Sequence, residues 1–254
     1  MSRSATDIHW NERVVQELDA TAVNIADTSQ RQLETEFLLK HLDPADRVLE
    51  VGCGNGFLTN IIRDRVAHVD AFDYADNMVR YALKLHGVRN KRFFHDNVHA
   101  PSDWQGPYDS IVCVRVLINL RDFSEQNGAV DNMRNALRPG GRLVLIEGFS
   151  DGFKELNLLR AAAGIEGLQP AKINYYSALS DMREYLNQGF STTAEFHTGC
   201  FDFLTRVVYP SLVGAQNATG HSEFHERILG VARSFNAEAF ASMARLRGFV
   251  LVKR

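Results

Sequence analysis

VLEVGCGNGFLTNII, residues 48–62, runs from an apolar segment through three glycines at alternate positions into an amphipathic stretch. Val48 to Val51 has the branched, apolar content of a strand buried on both faces. Leu58, Ile61 and Ile62, joined by Val66, recur as one face of a helix. Between strand and helix, Gly52, Gly54 and Gly56 let the backbone turn sharply and approach a bound molecule with no Cβ in the way, beside the N–H groups that open the helix. This is a nucleotide-type loop. Its spacing is G-x-G-x-G with Glu50 two residues ahead, whereas a dinucleotide site has G-x-G-x-x-G and would need a glycine where Phe57 stands.

Working outward, short apolar runs alternate with helix-length stretches. RVLEV (47–51), HVDAF (68–72), SIVCV (110–114) and RLVLI (142–146) read as strands. Met78, Tyr81, Ala82 and Leu85 form one intervening helical face and Val130, Met133 and Leu137 another. Gly87 suits a helix end, Ser124 a helix start, and Arg138-Pro139-Gly140-Gly141 a turn into the next strand. Upstream, Ser29 is a candidate cap for a helix carrying Leu33, Phe37, Leu38 and Leu42, broken at Asp43-Pro44. Downstream, 192–200 and 248–254 read as two more strands. The β-α alternation predicts an α/β fold: a doubly wound, seven-stranded, mostly parallel sheet with N-terminal helices. Residues 1–254 are expected to form a single domain, with N-terminal helices over 1–42 and a core over 43–148. The insertions 149–190 and 201–247 are too long for simple crossovers and are assigned to a helical substrate cap.

The bulk properties exclude several classes. With 45% hydrophobic residues in 254, the chain can bury a full core; a net charge of −3 gives no field to attract nucleic acid or anionic lipid. No apolar stretch near the N-terminus suits a signal peptide and none elsewhere suits a membrane span, so a cytoplasmic protein is expected. Cys53, Cys113 and Cys200 are odd in number and scattered, which points to reduced thiols. His95, Asp96 and His99 lack metal-site spacing, and the pair His221 and His225 lacks a third ligand, so no metal is expected.

Two acids complete a nucleoside site. Asp73 follows the second strand, where a carboxylate can accept both ribose hydroxyls. Asp96, in Phe94-His95-Asp96-Asn97 after the third strand, can accept from an exocyclic adenine amine. VLEVGCGNG, Asp73, Asp96 and RPGG together resemble the Rossmann-like, class I S-adenosylmethionine-dependent methyltransferases, of bacterial small-molecule type, over roughly residues 30–148 and the closing strands. The resemblance implies S-adenosyl-L-methionine as cofactor and an antiparallel final strand inserted beside the sixth. It places Glu50 and the Gly52, Cys53, Gly54, Asn55, Gly56 loop at the methionine portion, Asp73 and Tyr74 at the ribose, and Asp96, Asn97 and Val98 at the adenine, with Val114 on the facing strand.

Residues after the fourth strand should face the transferred methyl. Arg115 and Asn119 are therefore candidate acceptor-binding residues, and a guanidinium suits a carboxylate, phosphate or sugar hydroxyl. An internal ion pair of Arg115 with Glu147 is the competing reading. Asn157 and Arg160, three apart on a helix expected over 154–163, and Tyr176 are further candidates, while Trp10 either covers the cofactor or packs. His95, His197 and Tyr175 are the candidate bases. The expected reaction is methyl transfer to oxygen on a small polar or anionic acceptor, of a biosynthetic or sugar-like kind. N-methylation of a small amine and a non-catalytic cofactor-binding module are the alternatives, and a homodimer is left open. The partner is thus a small molecule, not nucleic acid or membrane.

Overall fold

The computed structural model describes residues 8–12, 27–87, 90–235 and 237–254. The rest of the expected N-terminal helical region lies outside the described residues. Seven strands, β1 (Arg47–Val51), β2 (His68–Asp73), β3 (Lys91–His95), β4 (Tyr108–Val114), β5 (Leu137–Gly148), β6 (Phe190–His197) and β7 (Leu246–Lys253), form one sheet in the order β3-β2-β1-β4-β5-β7-β6. β1 to β5 are parallel, and β7 runs antiparallel to both β5 and β6, between which it is inserted. The doubly wound sheet with its antiparallel last strand is the architecture expected from the alternation of runs.

Strand order reverses at β1 and β4, which leave in opposite directions from the centre of the sheet. A crevice opens at such a switch point, beyond the carboxyl ends of the strands. Alternate residues feed two cores. Val48, Val69, Ala71, Val112, Val144 and Val250 pack on one face with Leu38 and Ile62, under α1 (Thr28–Leu39), α2 (Phe57–Ile62) and α3 (Asp76–His86). Leu49, Val51, Phe72, Ile111, Leu143 and Leu145 pack on the other with Met133 of α4 (Phe123–Ala136) and Met182 of α6 (Leu179–Gly189). Between these last two helices comes α5 (Ser150–Ala162).

Several element ends differ from expectation. Aspartates two positions upstream outcompete the serines as helix caps: the Asp27 carboxylate accepts from Gln30 N at 3.0 Å, and that of Asp122 from Glu125 N at 2.9 Å. The Arg138–Gly141 turn lies within β5, where Leu137 pairs with Tyr108 and regular pairing resumes at Arg142. α5 starts four residues earlier than expected.

The two insertions have different destinations. α6 lies over the sheet beside α4, joined by the Tyr185 hydroxyl donating to Asp131 at 2.7 Å, so only α5 and the loop 163–177 stand above the strand ends. After β6, α7 (Gly199–Phe203) continues through a π-helical turn, Leu204–Val208, into α8 (Tyr209–Val213); α9 (Glu223–Ser234) follows. These pack on α1, with Phe201, Leu229 and Ala232 against Leu33. Arg206 reaches Asp27 and Arg245 reaches Gln30, so the second insertion buttresses α1. Among the described residues no helix is long and apolar enough to cross a membrane.

Candidate functional site

The glycine turn after β1 needs its glycines for two separate reasons. Gly52, Gly54 and Gly56 all have positive φ, of 71°, 53° and 77°. A Cβ on Gly52 would also sit 2.4 Å from Val116 Cγ2, and one on Gly56 2.8 Å from Phe93 Cζ. The turn is tied to β2 by Cys53 N donating to Phe72 O at 2.8 Å and Gly54 N donating to Asp73 Oδ2 at 2.8 Å. The other Asp73 oxygen accepts from Ala75 N at 2.8 Å. Asp73 therefore braces the turn ahead of α3, whose cap position is Ala75. A carboxylate offers about four acceptor sites. Tyr74 N also donates to Asp73, which leaves acceptor capacity for a ligand hydroxyl.

Around this turn lies a cleft of about 530 Å³ at the carboxyl ends of β1, β2 and β4. Glu50, Gly52, Cys53, Gly54, Asp73, Tyr74, Asn97, Val98 and Val114, all expected on the cofactor side, line it. Asn55 and Gly56 do not. Asn55 is fully buried and its Oδ1 accepts from Phe57 N, while Gly56 faces the packing between α3 and β3. Asp96 is also absent from the wall, because its carboxylate is consumed in folding the loop that follows. It accepts from Asn97 N (2.8 Å), Ser102 N (3.1 Å), Ser102 Oγ (3.0 Å) and Asp103 N (2.9 Å). Burial alone would raise its pKa, but these hydrogen bonds outweigh burial and hold the carboxyl below the usual range.

Glu50 behaves in the opposite way. Burial, opposed by the nearby Thr59 hydroxyl and reinforced by the charge of Asp73, pushes its carboxyl up to about 8, and Oε2 is buried with no hydrogen bond within normal geometry among the described residues. Such an oxygen is costly unless a donor reaches it. Strand register brings Glu50 opposite Ala71, two residues before Asp73, so the two carboxylates share one end of the cleft. This pair of acceptors fits a ligand that carries both a cation and a diol.

The opposite wall comes from three distant segments. α1 supplies Arg31, Glu34, Thr35 and Leu38; the loop after β4 supplies Arg115, Val116, Ile118 and Asn119; and the cap loop supplies Ala171, Ile173 and Asn174. Arg31 stacks over the Phe57 ring, its guanidinium carbon 4.4 Å from the centroid, next to the glycine turn. Its pKa is pushed down to about 10 by burial and by Arg115, with Glu34 acting against both. Arg115 pairs with Glu34 at 3.4 Å, not with Glu147. Glu147 instead accepts from the backbone of Val116 and Leu117, both at 2.7 Å. His9 and Trp10 cover the mouth, where Trp10 Nε1 donates to Asn119 Oδ1 at 3.2 Å and Trp10 packs on Ala75 and Met78.

The cap and base candidates lie elsewhere. Asn157 pins the cap loop through Leu168, donating to its carbonyl at 3.1 Å and accepting from its N–H at 2.7 Å. Arg160 is buried and donates to the carbonyls of Glu166 and Arg206, which ties α5 to the chain after β6. Both therefore serve the shape of the cap, and neither lines the cleft. Tyr176 meets Phe153 edge-on and its hydroxyl accepts from Asn174 at 2.9 Å. Tyr175 reaches the site by backbone alone, its N donating to Ile118 O at 2.7 Å. His95 leans on Tyr74 O at 3.0 Å, and His197, at the end of β6, accepts from Gly199 N at 3.3 Å. Burial and then Arg247 lower the His197 pKa. The imidazoles on the cleft wall are those of His9 and His99, the latter 3.4 Å from Glu125.

Arg31, Glu34 and Thr35 had gone unread because they sit within an ordinary amphipathic helix. The available signal was their spacing: with Leu38 they fall at i, i+3, i+4 and i+7, a single stripe containing two charges.

The fold and this cleft place the protein in a known class. The family described as methyltransferase domain matches residues 27–195, and the chain belongs to that family. It is 35% identical over 103 residues to the ubiquinone biosynthesis O-methyltransferase of Xylella fastidiosa (strain 9a5c), a match spanning 39% of this chain and 40% of that protein. Its fold is that of N-methyltransferase NodS from Bradyrhizobium japonicum WM9, solved with S-adenosyl-L-homocysteine, with TM-score 0.62, 14% identity and coverage of 98% and 99% of the two chains. Magnesium protoporphyrin IX methyltransferase from Synechocystis PCC 6803 is similar at TM-score 0.60 and 17% identity, with coverage of 98% of this chain and 95% of the other.

Proposed function

We propose that the protein is an S-adenosylmethionine-dependent methyltransferase that modifies oxygen on a small polar or anionic acceptor. The observation that carries this reading is the pairing of Glu50, whose buried Oε2 lacks a partner, with Asp73 across the glycine turn of one cleft. In this reading Glu50 receives the methionine ammonium, Asp73 the ribose hydroxyls, and Asn97 with Val98 the adenine face. Arg31, stacked on Phe57 beside the turn, is placed to receive the methionine carboxylate.

The cofactor supplies a methyl group already activated on a sulfonium, so transfer requires alignment and, for a hydroxyl acceptor, removal of a proton. In this reading Arg115 and Asn119 meet the acceptor, and among the described residues the buried Arg115 Nε makes only the long contact to Glu34. A carboxylate, phosphate or phenolate group on the acceptor suits it. The carboxylates on that side are already engaged, Glu34 by Gln30 and Arg115, and Glu125 by Arg121, which favours an anionic acceptor over a cationic amine. In this reading His9 and His99 replace His95, His197 and Tyr175 as the groups within reach of an acceptor proton.

The test is incubation with methyl-labelled S-adenosylmethionine and a fractionated metabolite extract, read by mass spectrometry. A labelled, anionic O-methyl product is expected. Tight cofactor binding without any product would remove the enzymatic reading.

A further inference from the structure

We propose that Glu147 is a positioning residue for the acceptor step, fixing loop 115–119 as one platform to which three coverings of the cleft are fastened. The inference rests on the reading of this cleft as a methyltransferase site. Glu147 ends β5, is about 1% exposed, and sends no atom into the cleft. Its carboxylate lies under the start of the short 3-10 turn Leu117–Asn119. Oε1 accepts from Val116 N and Leu117 N at 2.7 Å each, and Ile118 N lies 3.4 Å from Oε2. Three successive N–H groups converging on one buried carboxylate form an anion nest filled by the protein's own side chain.

The backbone entering this loop is otherwise disfavoured. Arg115 has φ of +55°, in the left-handed region that side chains with a Cβ seldom adopt. It is held there by its N donating to Ile146 O at 2.8 Å on one side and by the Glu147 nest on the other. The outcome is that the Arg115 side chain turns toward α1 while Val116 seats on Gly52.

Each covering then attaches to a different residue of the loop. α1 attaches through Glu34 to Arg115. The 8–12 segment attaches through Trp10 to Asn119, whose Nδ2 donates back to Arg115 O at 2.9 Å. The cap loop attaches through Tyr175 N to Ile118 O at 2.7 Å, and Gln126 Nε2 clamps the same junction, donating to Leu117 O (2.9 Å) and Tyr175 O (3.2 Å). Segments distant in the chain thus close on one platform, and the platform stands on one carboxylate.

Burial pushes the Glu147 carboxyl up to about 7, while the three N–H groups and Arg115 act to lower it. The charged and titratable groups around it are Cys113, whose thiol lies 3.9 Å away on β4, Arg115, and Arg247 opposite it on β7, with Glu34 behind Arg115. Loss of the negative charge weakens its acceptance from the nest. The platform should therefore loosen as pH falls through 7.

The experiment compares wild type with Glu147→Gln, which keeps the shape and removes the charge. Three readings are taken: amide exchange of Val116 to Ile118 with adenosylhomocysteine bound, adenosylhomocysteine affinity by calorimetry, and methyl transfer from labelled S-adenosylmethionine to a metabolite extract between pH 6 and 9. The expected result is at least tenfold faster amide exchange and at least tenfold slower transfer at pH 8, with affinity within threefold of wild type. The wild-type rise in transfer near pH 7 should be absent from the variant. Unchanged exchange, or affinity and transfer falling in parallel, would overturn the proposal. Should Glu147→Gln not fold, Gln126→Ala breaks the clamp at Leu117 and Tyr175; transfer falling twofold to fivefold at constant affinity supports the platform, and no change overturns it. A wild type that does not bind adenosylhomocysteine would instead overturn the functional reading itself.

Discussion

The two walls of the cleft are built by different means. One is made at adjacent strand ends: Glu50, the glycine turn and Asp73 come from consecutive elements, and much of the wall is backbone whose place follows from the pairing of β1 with β2. The other is made of side chains from α1, loop 115–119 and loop 171–174, held by contacts across long stretches of chain. A wall set by sheet register can be kept while the rest of the molecule changes. A wall set by side chains of separate segments can be rebuilt without disturbing the first. The second insertion contributes no lining residue among those described, yet supports α1 through Asp27, Gln30 and Leu33, so the second wall depends on residues that do not line it.

The severest challenge to this division is Gly52→Val, because Gly52 is where the walls touch. Positive φ and the 2.4 Å approach to Val116 make any side chain there strained and overlapping. Adenosylhomocysteine binding should fall below calorimetric detection, and stability should drop by about 3 kcal/mol in denaturant titration. Normal binding would show that the walls are not in contact.

The next challenge is the titration of Glu50, which probes the first wall alone. Its folded-state pKa of about 8 lies above the ordinary 4.5, so the folded chain binds the extra proton between those values. Stability of the ligand-free protein should therefore fall as pH rises from about 4.5 towards 8, and Glu50→Gln should flatten that fall. A cation beside Glu50 favours the ionised form. Binding of S-adenosylmethionine should consequently strengthen up to about pH 8 and release a proton, measurable by calorimetry in buffers of different ionisation enthalpy.

Smaller still is Arg160→Ala. It leaves the carbonyls of Glu166 and Arg206 without their donor and should cost about 2 kcal/mol of stability. Adenosylhomocysteine affinity should stay within threefold, since the first wall is untouched. A large loss of affinity would join the walls that this comparison separates.

The same division explains what could be read in the sequence. The β-α alternation and the glycine turn are local patterns with fixed periods, and Asp73 lies 17 residues after Gly56 because one short helix and one strand intervene. Asp96 met the same positional rule, but Asp-Asn is also an ordinary turn pair, and here the hydrogen bonds of the 97–103 loop claim the carboxylate. Side chains of the second wall have no local signature beyond the charged stripe on α1. Arg160 and Asn157 share a helix face as expected, yet that face meets the cap's own backbone. The partner of Arg115 lies on α1 and not at the end of β5, a choice made by tertiary packing between segments far apart in the chain.

The central claim, that the first wall binds S-adenosylmethionine through Asp73, is tested most directly by titrating adenosylhomocysteine into wild type and Asp73→Ala by calorimetry. Losing the ribose hydrogen bonds should weaken binding by about 1 to 3 kcal/mol, roughly five- to 150-fold. Equal affinities in the two proteins, or no binding to wild type, would contradict it.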